Sequence, residues 1–317
     1  MPLIAPGRPA AYANMTLSLF NPGSRLFGAQ RVKYLLALPA FIFIIIGIIY
    51  PTGYLLYNSM TAWSLTRLDL GQTFIGIENY GKLLADERFY SSLGITAIFT
   101  IATTSIQTVL GVTLALLLNR NIRGEGLVRT LLLIPWLVAP FISGFNFRFM
   151  MAPNIGVIAQ ALDFLGLDTI TKTSILGSPR TALGALILVH VWNGVPGTML
   201  VVTGGFKTIP EELYLAARVD GADRLQLLRY ITLPLVRYAI LISAFLTTLF
   251  IFKAFEMIFI MTGGGPGDST EVLALYQYWV GIRSLKIGYG SSIAVVQLLV
   301  AFIVSLVYAR LMFREAD

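Results

Sequence analysis

Six stretches of this chain are apolar for long enough to cross a lipid bilayer, near residues 34–57, 93–118, 127–151, 183–206, 231–261 and 293–313. A hydrocarbon core about 30 Å thick needs roughly 20 helical residues, and backbone inside it must pair its own polar groups. The pattern therefore predicts an all-α polytopic membrane protein with about six transmembrane helices. The fifth stretch is longer than a crossing requires and is expected to run past the core. Between the stretches, Asn79-Tyr80-Gly81-Lys82-Leu83-Leu84 followed by Phe89 and Tyr90 reads as a short amphipathic helix, and Gly263-Gly264-Gly265-Pro266-Gly267 as a turn. No internal repeat suggests a secondary transporter built within one chain.

Composition agrees with the pattern: 56% of the 317 residues are hydrophobic, 12% are charged and the mean hydropathy is +0.77. Water is not the main solvent of such a chain. Cysteine is absent and His190 is the single histidine, which argues against disulfides, redox chemistry and metal sites.

The net charge of +7 then becomes a question of sidedness. With six crossings both ends share a side. That side carries Arg8, Arg25, Arg31 and Lys33 before the first stretch, Arg120, Arg123 and Arg129 between the second and third, Lys207, Arg218, Arg224, Arg229 and Arg237 around the fourth-to-fifth link, and Arg310 and Arg314 at the end. The other side carries Arg67, Lys82, Arg88, Lys172, Arg180, Arg283 and Lys286, seven against fourteen. Basic residues accumulate on the cytoplasmic side, so both termini are expected inside, and no nucleic-acid partner is implied. Residues 1–32 form the expected cytoplasmic tail and 33–317 the six-helix domain. The first apolar run is too long for a signal sequence, so the tail is expected to persist, with Leu17, Phe20, Leu26 and Phe27 either lying along the headgroups or disordered.

Gly76-Ile77-Glu78-Asn79-Tyr80-Gly81-Lys82 imitates a phosphate-binding loop, but Leu83 stands where Ser or Thr would hold magnesium, and the segment is expected outside the cell. No ATP hydrolysis is expected of this chain alone. The inner link over 207–234 is more informative. Glu211 and Glu212 follow Pro210, which suits a first helical position; Leu213, Ala216 and Ala217 share a face; Asp220-Gly221 reads as a turn; and Ala222, Leu225 and Leu228 face one way on a second short helix.

This link resembles the cytoplasmic signature of binding-protein-dependent ABC importer permeases: Glu-Ala-Ala, three residues, Gly, nine residues, Ile-x-Leu-Pro. Here Ala216-Ala217 precedes Gly221 by that spacing, and nine residues later comes Ile231-Thr232-Leu233-Pro234. Leu215 occupies the glutamate position, so any salt bridge made by that glutamate in relatives is absent. Gly76-Ile77-Glu78-Asn79-Tyr80, Leu133-Ile134-Pro135-Trp136 and Phe255-Glu256 leading to Met261-Thr262-Gly263-Gly264-Gly265-Pro266 are similar to the maltose-type, carbohydrate-importing subfamily. The resemblance implies that Glu212, Leu215, Ala216, Ala217, Asp220, Gly221 and Ala222 form a coupling loop. It also implies the partners: a second related permease, two ATPase subunits that bind ATP and magnesium, a periplasmic or lipid-anchored solute-binding protein, and membrane lipids in the bacterial inner membrane. No cofactor is expected in this chain.

By the same resemblance, His190, Trp192, Asn193 and Gly194, with Thr247, Phe250, Ile251 and Ala254, match positions that line the sugar in the maltose permease. Asparagines of that permease are replaced by Ile251 and Ala254, which implies a cargo other than maltose or a companion that supplies the main contacts. Plainer roles stand beside these: lipid-facing packing for Trp192 and a helix-to-helix hydrogen bond for His190. Lys253 and Glu256 are spaced to pair on one helix face, as a structural pair or an outer gate in preference to an anionic-cargo site. Arg148 is expected to snorkel to the headgroups. The reading is a carbohydrate-importing permease subunit; a permease for an anionic carbohydrate and a stand-alone secondary transporter are the alternatives.

Overall fold

The computed structural model describes residues 29–67, 71–119, 124–166 and 174–313. The tail segment with Leu17 to Phe27, and Arg120, Arg123, Lys172 and Arg314, lie outside the described residues. Two compact units divide at Leu55. In the first, α1 (Ala29–Ile44) passes through a π-helical turn (Ile45–Ile49) into α2 (Tyr50–Ser59), whose last residues belong to the second unit.

The second unit contains α3 (Glu78–Leu84), α4 (Glu87–Leu118), α5 (Glu125–Leu137), α6 (Pro140–Met150), α7 (Val157–Phe164), α8 (Pro179–Phe206), α9 (Glu211–Val219), α10 (Arg224–Leu227), α11 (Leu233–Phe252), α12 (Glu256–Met261), α13 (Leu273–Tyr278) and α14 (Ile287–Phe313). Among the described residues five helices are long and apolar enough to cross a membrane, or six if α5 and α6 count as one. Helix α8 is the hub, packed on α4, α11 and α5. Apolar helices gain little hydrophobic energy by leaving lipid for one another, so close approach depends on small residues. A Cβ on Gly111 would lie 2.5 Å from Thr198 Cγ2, and one on Gly205 the same distance from Ala239 Cβ. Those two glycines let α4 and α11 press against α8.

Two of the expected crossings are interrupted. The third is broken: α5 and α6 meet at 90°. Pro140 has no N–H to continue the ladder and forces Ala139 into an extended conformation, ψ 139°. The fifth stops at Phe252 and restarts at Glu256. The glycine run is a turn as expected, with Gly263, Gly264 and Gly267 at positive φ. Lys82 of the phosphate-loop imitation pairs with Glu78 at 2.8 Å across one turn of α3.

At the end of α4 that begins at Asp86, side chains grip the 262–292 link. Arg88 donates from Nε (2.9 Å) and an NH2 nitrogen (2.6 Å) to the two carboxylate oxygens of Glu271, and Ser92 Oγ adds a third bond at 3.1 Å. Glu271 is 1% exposed, a burial that only such pairing makes tolerable. One turn further, Thr96 Oγ1 accepts from Leu273 N at 2.7 Å. Asp86 caps α4 by accepting from Arg88 N and Phe89 N, and its other oxygen accepts from the hydroxyls of Tyr276 and Tyr289. Burial pushes the Asp86 carboxyl up, but the two tyrosine hydroxyls and the two backbone amides outweigh it and hold it below the usual carboxylate range. The same burial, with the bond to Asp86, pushes Tyr276 upward.

Replacing Asp86 by Ala should therefore destabilise the purified protein by roughly 1–2 kcal/mol at neutral pH, the cost of a lost cap with its side-chain bonds. Because the folded carboxyl is depressed, its contribution is present above the ordinary value of 3.8 and is lost as pH falls through the lower folded value. Melting curves of wild type and Asp86→Ala should converge in acid and stay apart above pH 5.

Candidate functional site

Both broken helices open onto one cavity of about 640 Å³, whose wall includes residues 136–140 at the first break and 253–257 at the second. Its size falls within the roughly 300–1,000 Å³ typical of small-molecule sites. Irregular backbone at membrane depth persists where it is enclosed by protein or lines a cavity, so the breaks and the cavity explain each other.

The expected path residues His190, Asn193, Gly194, Thr247, Phe250, Ile251 and Ala254 all line this cavity. Trp192 does not; it packs edge-on against Phe147, with centroids 5.0 Å apart. Among the described residues His190 makes no helix-to-helix hydrogen bond: its Nδ1 lies 3.0 Å from Leu186 O, one turn back on α8, and its ring meets Phe99 edge-on at 4.9 Å. Asn193 holds the first break, donating from Nδ2 to Val138 O (3.1 Å), freed where α5 ends, and to Pro135 O (2.7 Å), which also accepts from Val138 N at 3.3 Å. Gly194 makes room for Gln107 of α4, whose Nε2 lies 2.3 Å from where a Cβ would be. Thr247 Oγ1 stands 3.5 Å from both Gln107 Nε2 and Thr198 Oγ1. Phe250 presents an exposed ring, while Ile251 is buried.

Lys253 and Glu256 do not pair, because the helix ends between them. Lys253 caps the C-terminus of α11 and Glu256 lies in the first turn of α12, each complementing a helix dipole. The Lys253 ammonium sits 5.1 Å from the centre of the Phe250 ring. Arg148 is not merely a headgroup anchor: it donates to Ile260 O at 2.8 Å and so joins α6 to α12, where a Cβ on Gly144 would lie 3.2 Å from the Met257 backbone. Gln107 and Trp136 on the cavity wall were not among the expected residues. Gln107 is the one amide or charged side chain in the second apolar stretch, and that is the signal that points to it.

On the loop that carries the signature, α9 starts after Pro210, one position later than expected. Gly221 N donates to Arg218 O (3.1 Å) and Ala222 N to Ala217 O (2.9 Å) around Gly221 at φ +85°. This paired closure of a helix end requires a left-handed residue. Asp223 and Gln226 then form a reciprocal capping box. The second short helix is not separate: α10 continues through a π-helical turn (Leu228–Thr232) into α11, so 224–252 is one helix. Tyr214 OH lies 3.2 Å from Thr232 Oγ1 and ties α9 to that turn. Glu212, Leu215, Ala216, Asp220 and Gly221 are exposed on this hairpin; Ala217 and Ala222 are half-buried.

The bonds from Asn193 make its replacement a structural as well as a functional change. Asn193→Leu should leave Val138 O unpaired, at about 1–3 kcal/mol, and Pro135 O with only its 3.3 Å bond from Val138 N. Thermal denaturation in detergent should show a lowered melting temperature, and uptake should fall with it.

Residues 107–315 match the family described as binding-protein-dependent transport system inner membrane component. The sulfoquinovosyl glycerol transport system permease protein SmoG of Agrobacterium fabrum (strain C58) is 34% identical over 284 residues, covering 90% of this chain and 91% of that one. The trehalose/maltose transport system permease protein MalF of Thermococcus litoralis is 30% identical, covering 88% and 93%. Among solved structures, a chain of a bacterial ABC transporter involved in the import of the acidic polysaccharide alginate has a TM-score of 0.78 over 90% of this chain and 96% of its own, at 22% identity, a likeness of fold. A match over more than half of the chain, with relatives alike over about nine tenths of both chains, is decisive: this protein belongs to the family of inner-membrane components of binding-protein-dependent transport systems, as a permease subunit and not an enzyme.

Proposed function

We propose that the chain imports a carbohydrate, with the cavity at the two helix breaks as its half of the path. The cavity carries this reading: it sets polar groups at membrane depth beside the aromatic faces of Trp136 and Phe250, and sugars need both hydrogen bonds and flat apolar surfaces. The names of the relatives, trehalose/maltose and sulfoquinovosyl glycerol transport systems, support the same class. In this reading a second, related permease completes the path, and a solute-binding protein delivers the cargo. Two ATPase subunits, holding ATP and magnesium, grip the exposed hairpin, and both termini are cytoplasmic. Leu215 docks without the ion pair of the family signature, and Glu212, one turn earlier, offers a carboxylate on the same face.

The mechanism follows from stiffness. A load on the α9 hairpin reaches α11 through continuous helix and the Tyr214 contact, then the second break, where α11 ends beside the cavity. Rigid transmission into a broken helix converts ATPase closure into a change of cavity access. Lys253 on the wall favours a second reading within the class, an anionic carbohydrate.

The importer, reconstituted with its binding protein, should take up at least one of labelled trehalose, maltose, sulfoquinovosyl glycerol or an alginate oligosaccharide when ATP is supplied. Uptake of none removes the carbohydrate reading. Lys253→Gln should weaken uptake of an anionic cargo and spare a neutral one. Gly221→Val, which puts a β-branched residue at positive φ at a cost of about 1–3 kcal/mol, should lower cargo-stimulated ATPase activity by roughly tenfold or more; full stimulation with normal uptake would exclude this loop as the coupling element. A reporter inserted near Asp268 should behave as external and one fused after Arg314 as cytoplasmic, and the reverse would overturn the charge argument.

A further inference from the structure

Two residues expected on the path, Gly194 and Thr247, are each explained by a third. The space left by the missing Cβ of Gly194 is filled by the Gln107 amide, with Nε2 at 2.3 Å and Oε1 at 2.6 Å from the ideal Cβ position. Thr247 Oγ1 anchors one end of that amide at 3.5 Å. Gln107 is 5% exposed, lines the cavity, and its Oε1 has no hydrogen-bond partner among the described residues. Whichever way the amide is turned, one polar end meets Thr247 and the other has none. A primary amide carried into a membrane and left half satisfied is costly. Three helices nevertheless converge to hold it there: α4 supplies it, α8 gives it space and α11 anchors it.

We infer that Gln107 is the residue that reads a hydroxyl group of the cargo. This rests on the carbohydrate reading above. A hydroxyl both donates and accepts, so it satisfies the free end of the amide in either orientation. The surroundings exclude a charged group at this point. Thr247, and through it Thr198, are the hydrogen-bonding partners here, both neutral, and an ion there would be desolvated without a counter-charge. Lys253 stands six residues along the helix from Thr247, roughly 9 Å by helical rise. The cavity thus has a neutral end that recognises hydroxyls and a separate end that carries Lys253 and Glu256. Gly194 and Thr247 act through Gln107 as positioning residues, which explains why neither offers a free polar group of its own.

The test uses the assembled importer with its binding protein and whichever of labelled trehalose, maltose, sulfoquinovosyl glycerol or alginate oligosaccharide the wild type takes up; uptake of none overturns the carbohydrate reading and this inference with it. Gln107→Met keeps length and apolar bulk while removing the amide. It should raise the KM for uptake about tenfold, the worth of one hydrogen bond near 1.4 kcal/mol, at unchanged yield of complex. Gly194→Ala, which displaces the amide without removing a polar group, should raise KM in the same direction. Monodeoxy analogues of the cargo give the readout that packing alone would not move. Wild type should discriminate against one of them about tenfold, and Gln107→Met should not. If Gln107→Met does not assemble, Thr247→Val, which frees the amide from its anchor, takes the same measurements. An unchanged KM, or undiminished discrimination among the analogues, overturns the assignment.

Discussion

Inside a bilayer a helix can stop only where something else takes up its backbone hydrogen bonds, and this fold is arranged around two such stops. At the first, Pro140 ends the ladder of α5 and Asn193, reaching from α8, accepts the debt by donating to Pro135 O and Val138 O. At the second, α11 ends at Phe252 and α12 begins at Glu256, with opposite charges completing the two helix ends. Arg148 then joins the segments beyond the breaks by bonding Ile260 O from α6. The cavity is the space these interruptions enclose. A straight third helix would close it, and lipid in place of the α8 asparagine would leave Val138 O without a donor among the described residues.

On either side of the cavity the structure is stiff. Glu271 is fixed by Arg88 and Ser92, Leu273 N by Thr96, and Asp86 by two tyrosines, so the 262–292 link is bound to the start of α4. At the hairpin, the paired closure around Gly221 and the capping box at Asp223 set the angle between α9 and α10, and α10 has no joint before α11. Stiff ends around a broken middle are what the proposed lever needs, so that displacement applied at the hairpin would not be absorbed before it reaches the cavity.

Much of this was legible in the sequence. Six apolar stretches gave the crossings, and the spacing of Ala216, Ala217 and Gly221 to Ile231 and Pro234 gave the hairpin, because both depend on local pattern. The bend at Pro140 was written there too, but hydropathy cannot distinguish one helix from two at right angles. The continuity of α10 with α11 was hidden because a π-helical turn shifts the helical phase that separates short helices on paper. The Glu271 bonds lay further out of reach, since they join residues some 180 apart in the chain. At the candidate site, family likeness selected Asn193, Gly194 and Thr247 by position, whereas the reason each is there required coordinates: one holds a break and two hold Gln107.

The central claim is that the cavity is reached from alternate sides of the membrane. The chain contains no cysteine, so a single cysteine at Ala254, on the cavity wall, reports access without background from this chain. The decisive measurement is its modification by a membrane-impermeant maleimide, applied from each side of the reconstituted complex at rest and with ATP trapped. The account predicts reactivity from the cytoplasmic side at rest and from the opposite side in the trapped state. Reactivity from the same side in both states, or from neither, would contradict it.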